Sequence, residues 1–166
     1  MAIEGTLPGA EDAASDVDRL LVRSSARHLV LVALGGGESA AFVDAVLDAA
    51  EAGPGWLWAV RCHPTVPDQT RWTSAIAARG LTNVEVDGSS RIPLFALIGR
   101  AAAVVTRFSS VTLDAAAVGV PTLLVDGLGA ELFADEVAAG AARVVGLAGD
   151  QLVAAVTEAP VQHTHR

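Results

Sequence analysis

Residues 28–40 read HLVLVALGGGESA, and this stretch decides the fold. After the histidine, residues 29–34 form a continuous apolar run, which is typical of a parallel strand buried on both faces. Three glycines end the run. An amphipathic pattern follows over residues 39–52, with apolar side chains on one helical face and acidic side chains opposite. A strand, a glycine turn and a helix in this order indicate a βαβ unit.

The same alternation continues along the chain. Further strands are expected at residues 56–62, 83–86, 102–106, 121–125 and 143–145. Further helices are expected at residues 70–79, 92–100, 109–118, 132–139 and 151–157, with a loop at 87–91. Strands that alternate with helices form a parallel sheet covered on both faces. We therefore expect an α/β fold with a single Rossmann-like, doubly wound parallel sheet of about six strands in the order 3-2-1-4-5-6.

Composition restricts the possible partners. The 166 residues suit one domain, with 52% hydrophobic and 18% charged residues. Net charge is −8 and the basic residues form no patch, which argues against nucleic-acid binding. A single cysteine excludes an internal disulfide and favours a reducing compartment. No secretory pattern and no membrane-length apolar run occur, so we expect a cytoplasmic, non-transmembrane protein.

The two ends of the chain differ from its middle. Residues 1–27 are predicted to be a flexible lead-in or linker, mobile to about residue 15, with a short helix at residues 16–24. Residues 28–159 are predicted to form the Rossmann-like domain. Residues 160–166 are predicted to be a disordered tail, whose histidines His163 and His165 are expected to be solvated rather than metal-bound.

Ligands of doubly wound sheets bind outside the carboxyl ends of the strands, where the strand order reverses. The first loop at this position contains Gly35, Gly36 and Gly37, whose backbone N–H groups suit an anion. With Ala40, the loop also fits the G-x-G-x-x-A dinucleotide pattern. The usual acid after the second strand is missing. Arg61 stands near that position and would suit a 2′-phosphate, so an NADP-binding module remains an alternative, as does a purely structural turn.

The second loop begins with His63 and Pro64. Because a following proline disfavours helical backbone, His63 is expected to extend off the end of the strand. An imidazole held there can donate a hydrogen bond to a phosphate or to a departing oxyanion. The alternative is an ordinary surface histidine. Cys62 has no adjacent base or second thiol and is expected to be a small buried packing residue.

The third loop runs from Thr106 to Ser110. Ser109 is placed to cap the next helix, and a second hydroxyl beside it on Ser110 would complete a compact phosphate site. Arg107 is expected either to add positive charge or to face solvent. Asp114, one turn further along the helix, either reaches ribose hydroxyls or is a solvated carboxylate. Thr106 is included among the binding candidates because it opens this loop.

Four segments together resemble a known family: RCHP at 61–64, IPL at 92–94, TRFSSVTLDA at 106–115 and GVP at 119–121. They resemble the C-terminal, nucleotide-binding domain of GT-B fold glycosyltransferases over roughly residues 28–145. The likeness is greatest to bacterial sialyltransferases and polysialyltransferases, which have paired His-Pro and Ser-Ser motifs. The CDP-glycerol glycerophosphotransferases of teichoic acid synthesis have a similar pair.

The resemblance implies roles for individual residues. His63 would be catalytic, contacting the donor phosphate and assisting departure of the nucleotide. Ser109 and Ser110 would bind the same phosphate, while Asp114 occupies a position where many members carry a ribose-binding acid, often Glu. The donor would be a CMP-, CDP- or UDP-linked sugar used in surface polysaccharide synthesis. No metal or other cofactor is implied, because no Asp-x-Asp pair occurs within residues 35–110.

GT-B enzymes have two Rossmann-like domains, and the sequence accounts for one. In sialyltransferases the acidic general base belongs to the N-terminal domain. We therefore expect a donor-binding half that is active only with an N-terminal acceptor domain or a partner subunit. The alternative is a non-catalytic remnant or an interaction domain without a nucleotide ligand.

Overall fold

The structure is a computed structural model that describes residues 9–65 and 68–159. Its strands are β1 (His28–Ala33), β2 (Trp56–Arg61), β3 (Val84–Glu85), β4 (Ala101–Thr106), β5 (Thr122–Leu124) and β6 (Ala142–Val144). Its helices are α1 (Ala10–Arg23), α2 (Ala40–Ala52), α3 (Gln69–Arg79), α4 (Asp87–Arg91), α5 (Leu94–Arg100), α6 (Val111–Ala117), α7 (Gly127–Leu132), α8 (Ala134–Ala138) and α9 (Gly149–Glu158).

All six strands are parallel and lie in one sheet in the order β3-β2-β1-β4-β5-β6, which confirms the predicted topology. Strand β1 is central and pairs with β2 on one side and β4 on the other. Its residues Leu29, Val30, Leu31 and Val32 are completely buried. A strand covered on both faces explains why the sequence shows a continuous apolar run instead of alternation.

Helices cover both faces of the sheet. Successive side chains of a strand point to opposite faces, and accordingly Val30 and Val32 pack with α2, α3 and α9, whose buried residues include Phe42, Trp72 and Leu152. On the other face, Leu29 and Leu31 pack with α1, α5 and α6. None of the helices within the described ranges is long and apolar enough to cross a membrane.

Helix α1 differs from its prediction. It begins at Ala10 instead of Asp16, so residues 10–15, expected to be mobile, are helical. Glu11 and Asp12 lie in its first turn, where negative charge stabilises a helix. Its buried residues, Val17 and Leu20 among them, join the core formed with α5. Residues 10–23 are therefore packed into this fold; residues 1–8 and 160–166 lie outside the described residues.

Two further expectations are corrected. The expected loop at residues 87–91 is the short helix α4, stabilised by the side chain of Ser89, which donates to the carbonyls of Val60 and Glu85. The expected helix at 132–139 is two helices, α7 and α8, that meet at Phe133. Helix α7 begins earlier than expected because the Asp126 carboxylate caps it by accepting from the Leu128 amide at 2.8 Å.

Packing of α1 is tested by Leu20→Ala. Leu20 is 5% exposed, so truncation leaves a cavity and we expect a loss of about 2–5 kcal/mol in the free energy of unfolding, measured by urea denaturation. The matched control is Val22→Ala on the same helix, where the side chain is 78% exposed and little change is expected. Equal effects of the two substitutions would contradict the packing described here.

Candidate functional site

The carboxyl ends of β1, β2 and β4 lie side by side, since these strands are neighbours in the sheet. Adjacent strands are separated by about 4.8 Å, which places the loops after β2 and β4 roughly 10 Å apart with the loop after β1 between them. The three loops predicted to carry the chemistry therefore share one edge of the sheet. Their detailed contacts show which groups are available to a ligand.

The glycine loop after β1 contains its own anion. The Glu38 carboxylate oxygen Oε1 accepts from the amides of Gly35 at 2.7 Å and Gly36 at 3.2 Å. Glu38 is 3% exposed, and its second oxygen, Oε2, is buried without a hydrogen-bond partner in the described structure. Positive φ angles of 95° at Gly36 and 72° at Gly37 create this turn. Two amides predicted to hold a phosphate thus hold a carboxylate of the same chain.

Contacts join the glycine loop to the serine loop after β4. A Cβ atom added at Gly35 would lie 3.2 Å from Cε2 of Phe108, so the absence of a side chain permits this close approach. Below that contact, the hydroxyl of buried Thr106 donates to the carbonyl of Ala33 at 2.7 Å. Thr106 is thereby a structural bond between the ends of β1 and β4; direct contact with a ligand remains a prediction.

The serine loop is organised by short-range hydrogen bonds. The Ser109 amide donates to Oγ1 of Thr106 at 3.2 Å, and the Ser109 hydroxyl accepts from the Val111 amide at 3.3 Å. Ser109 therefore has the capping role that the sequence predicts. Ser110 is exposed, and its side chain makes no cap hydrogen bond to α6. Its hydroxyl is the more available of the two for a ligand.

His63 is partly exposed at the end of β2. Its Nδ1 atom accepts from the amide of Thr65 at 3.2 Å and lies 2.8 Å from the Thr65 hydroxyl. No hydrogen bond to Nε2 occurs within residues 9–65 and 68–159. The imidazole is thus held by one ring nitrogen and presents the other, as a phosphate-binding role requires.

Arg61 has a structural task that the sequence did not indicate. Its Nη1 atom donates to the carbonyl of Ser89 at 3.1 Å and to the carbonyl of Ile92, which ties β2 to the segment between α4 and α5. Partial burial lowers the pKa of this guanidinium. Ile92 is itself buried, with 6% exposure.

Cys62 is partly buried, and burial is the main cause that raises the pKa of its thiol. Hydrogen bonding to Asp68 and Ser90 acts in the opposite direction. The raised pKa keeps the thiol protonated, which fits the packing role predicted for it.

Arg71 is a cation at this edge that sequence reasoning missed. Its Nη2 atom donates to the backbone carbonyl of Glu38, and its Nε atom pairs with Asp68 at 3.0 Å. It therefore links the first turn of α3 to the glycine loop while its side chain is 40% exposed. The i,i+3 spacing of Asp68 and Arg71 was the available sequence signal, but it did not indicate contact with Glu38.

Arg107 is paired with an acidic side chain instead of facing solvent freely. Both Nε and Nη2 lie 3.1 Å from Oδ2 of Asp126, and its guanidinium carbon lies 4.9 Å from the centre of the Phe108 ring. The amide of Leu128, and secondarily Arg107, lowers the pKa of Asp126. The pair joins the loops after β4 and β5.

Asp114 lies on the exposed side of α6 in a largely apolar groove between α5 and α6. The cavity volume is about 470 Å³, and Leu94, Phe95 and Val118 line it. Phe95 is 59% exposed, so its ring forms an accessible apolar wall of the groove. The sequence placed Asp114 correctly one turn into α6, and its ribose role remains a prediction.

Thr106→Val tests the bond between β1 and the serine loop. Valine keeps the shape but leaves the Ala33 carbonyl and the Ser109 amide without their partner, so unfolding free energy is expected to fall by about 1–3 kcal/mol. Chemical denaturation measures this loss. Thr106→Ser keeps the hydroxyl and serves as the control; comparable losses for serine and valine would contradict a hydrogen-bonding role.

Asp126→Asn tests the charge pair with Arg107. Asparagine can still cap α7, but it cannot supply the charge. Because the folded pKa of Asp126 is lowered, its stabilisation is present at neutral pH and is lost as pH falls through the folded pKa. We expect the free energy of unfolding of wild type to exceed that of the variant by about 0.5–1 kcal/mol at pH 7, and this difference to shrink below about pH 4.

Urea unfolding at several pH values measures that difference, with Glu131→Gln on the exposed surface of α7 as the control. A difference between wild type and Asp126→Asn that stays constant from neutral to acidic pH would rule out the ionic contribution.

Solved structures share this fold. The chain is similar to CalG4, the calicheamicin glycosyltransferase, with a TM-score of 0.62 and 24% identity over 84% of this chain and 36% of that chain. It is similar to the UDP-GlcNAc 2-epimerase of Methanocaldococcus jannaschii in complex with UDP-GlcNAc and UDP, with a TM-score of 0.65 and 14% identity. That match covers 93% of this chain and 44% of that chain. The Neisseria meningitidis UDP-GlcNAc 2-epimerase bound to UDP-GlcNAc matches with a TM-score of 0.63 and 14% identity, over 89% of this chain and 39% of that chain.

These similarities establish the fold and its extent. The chain has the architecture of a C-terminal GT-B-like domain, which confirms the predicted resemblance at that level. It spans less than half the length of the solved chains it matches, between 36% and 44% for those above. No protein-family model and no curated protein matches the sequence. The roles inferred from the His-Pro and Ser-Ser motifs remain predictions.

Proposed function

We propose that this chain is the donor-binding half of a bacterial glycosyltransferase, and that it binds a CMP-, CDP- or UDP-linked sugar at the carboxyl edge of its sheet. The observation that carries the proposal is the shared edge itself: the loops that carry His63 and Ser110 lie on either side of the glycine loop. Both side chains donate hydrogen bonds, as a phosphate requires.

The proposed roles follow from the contacts. His63 donates to the donor phosphate and stabilises the departing nucleotide, while Ser109 and Ser110 bind the same phosphate. Arg107 is paired with Asp126 and Arg71 with Asp68, so a carboxylate balances the positive charge of each guanidinium. The phosphate is proposed to bind nearer the serine loop than the glycine loop, because Glu38 already occupies the amides of Gly35 and Gly36.

The nucleoside is proposed to lie toward the groove of Phe95 and Asp114. Phe95 offers an exposed aromatic face for a base, and Asp114 a carboxylate for ribose hydroxyls. Structures with this fold include epimerases solved with UDP-GlcNAc, which supports a uridine or cytidine nucleotide as the first ligand to test.

Catalysis is proposed to need a second domain or subunit that supplies the acceptor site and the general base. The matched solved chains are more than twice as long as this one, which supports that proposal. Surface polysaccharide synthesis and a cytoplasmic location are part of the proposal. A general base must lie within hydrogen-bond reach of the acceptor hydroxyl, so the second domain or subunit must place its base at that distance.

One alternative has an observation in its favour. The apolar groove with exposed Phe95 and Val118 fits a non-catalytic interaction domain, and the filled glycine amides fit a site without phosphate. The NADP alternative gains no support, because Nη1 of Arg61 is directed to backbone carbonyls.

Thermal unfolding with added nucleotides distinguishes the donor-binding, NADP-binding and interaction-domain hypotheses. A pyrimidine nucleotide at about ten times its Kd contributes about 1.4 kcal/mol to stability, which corresponds to a rise of about 3–6 °C in Tm. We expect UDP, UMP or CMP to produce this rise and NADPH not to do so. The double substitution Ser109→Ala with Ser110→Ala removes both hydroxyls and is expected to abolish it.

The matched control is Ser74→Ala on the exposed surface of α3, which should keep the full nucleotide response. A rise with NADPH alone would favour the dinucleotide reading. Unchanged Tm with every nucleotide, in a wild-type protein that unfolds cooperatively, would favour the interaction domain and overturn the proposed function.

A further inference from the structure

A neutral imidazole carries one N–H proton. The ring nitrogen that bears this proton donates a hydrogen bond, and the other ring nitrogen accepts one. For His63, the amide and the hydroxyl of Thr65 both bear on this point. The Thr65 amide lies 3.2 Å from Nδ1, and an amide N–H only donates, so this contact favours the tautomer in which Nδ1 presents its lone pair. In that tautomer the neutral ring carries its proton on Nε2, and the Thr65 hydroxyl at 2.8 Å is a second donor to Nδ1.

Two contacts from one residue also restrict the orientation of the ring. The backbone of His63 is restricted by the proline at 64, and its side chain is held through Nδ1 by the amide and hydroxyl of Thr65. The Nε2–H group has no hydrogen-bond partner within residues 9–65 and 68–159. A phosphate oxygen is an obligate acceptor, so this is the tautomer that can bind it.

We propose that Thr65 is a positioning residue that fixes His63 as an Nε2–H donor toward the ligand phosphate. The inference rests on the proposed function for its ligand, but the tautomer itself is a property of the free protein. Thr65 contacts His63 and is assigned no contact with the ligand. Its contribution must therefore disappear when the imidazole is removed.

A double-mutant cycle tests that dependence. Thr65→Val removes the hydroxyl and keeps the amide, so we expect UDP affinity, measured by calorimetry, to fall about three- to tenfold. Thr65→Ser restores the hydroxyl and should restore affinity. In a His63→Ala background, Thr65→Val should have no further effect. Equal losses in both backgrounds would overturn the inference, because they would mean that Thr65 acts independently of His63.

Two amide substitutions test which ring nitrogen donates. The side-chain amide of glutamine approximates the Nε2 position and that of asparagine the Nδ1 position. We expect His63→Gln to retain more affinity for UDP than His63→Asn. The reverse order would assign the donor to Nδ1 and overturn the inference.

Ring ¹⁵N spectra of the free protein, recorded above neutral pH, test the tautomer without any nucleotide. We expect wild-type His63 to show a protonated Nε2 and an unprotonated Nδ1, with Thr65→Val increasing the opposite tautomer. A wild-type ring protonated on Nδ1 would overturn the inference even where UDP binds. Failure of UDP, UMP and CMP alike to bind, with the predicted spectrum intact, would overturn the proposed function alone.

Discussion

Strand β1 is hydrogen-bonded on both edges and buried on both faces. This constraint determines the positions of the helices that cover it and of the strands beside it. Its apolar side chains supply the centre of two hydrophobic layers, one with α2, α3 and α9 and the other with α1, α5 and α6. Its carboxyl end must then lie between those of β2 and β4. The loops that carry His63 and Ser109 are brought to one edge by this strand order, although they are far apart in sequence.

A second set of contacts ties these loops to one another. The hydroxyl of Thr106 bonds the end of β1, Phe108 packs on Gly35, and Arg71 holds the glycine loop from the other side. Each of these contacts holds the loops in place and leaves other groups at the edge available to a ligand. We propose that the ligand contacts the Nε2 edge of the His63 ring and the hydroxyls of Ser109 and exposed Ser110.

The order and type of the strands could be predicted because periodicity reports burial directly: a parallel strand under two helical layers has no polar face. The capping role of Ser109 could be predicted because it depends on adjacent residues. Contacts over long separations could not. Nothing near Glu38 indicates that its carboxylate fills the amides of Gly35 and Gly36, and nothing near Arg61 indicates that it bonds carbonyls about thirty positions away. The early start of α1 was missed because its small and acidic residues resemble those of a linker.

We propose that His63 and the serine loop contact one anion. NMR titration of this 16.9 kDa chain with UDP tests it most directly. If one anion contacts both, the His63 ring signals and the amides of Ser109 and Ser110 shift together, with one dissociation constant. Shifts confined to one of the two loops, or two different dissociation constants, would contradict it.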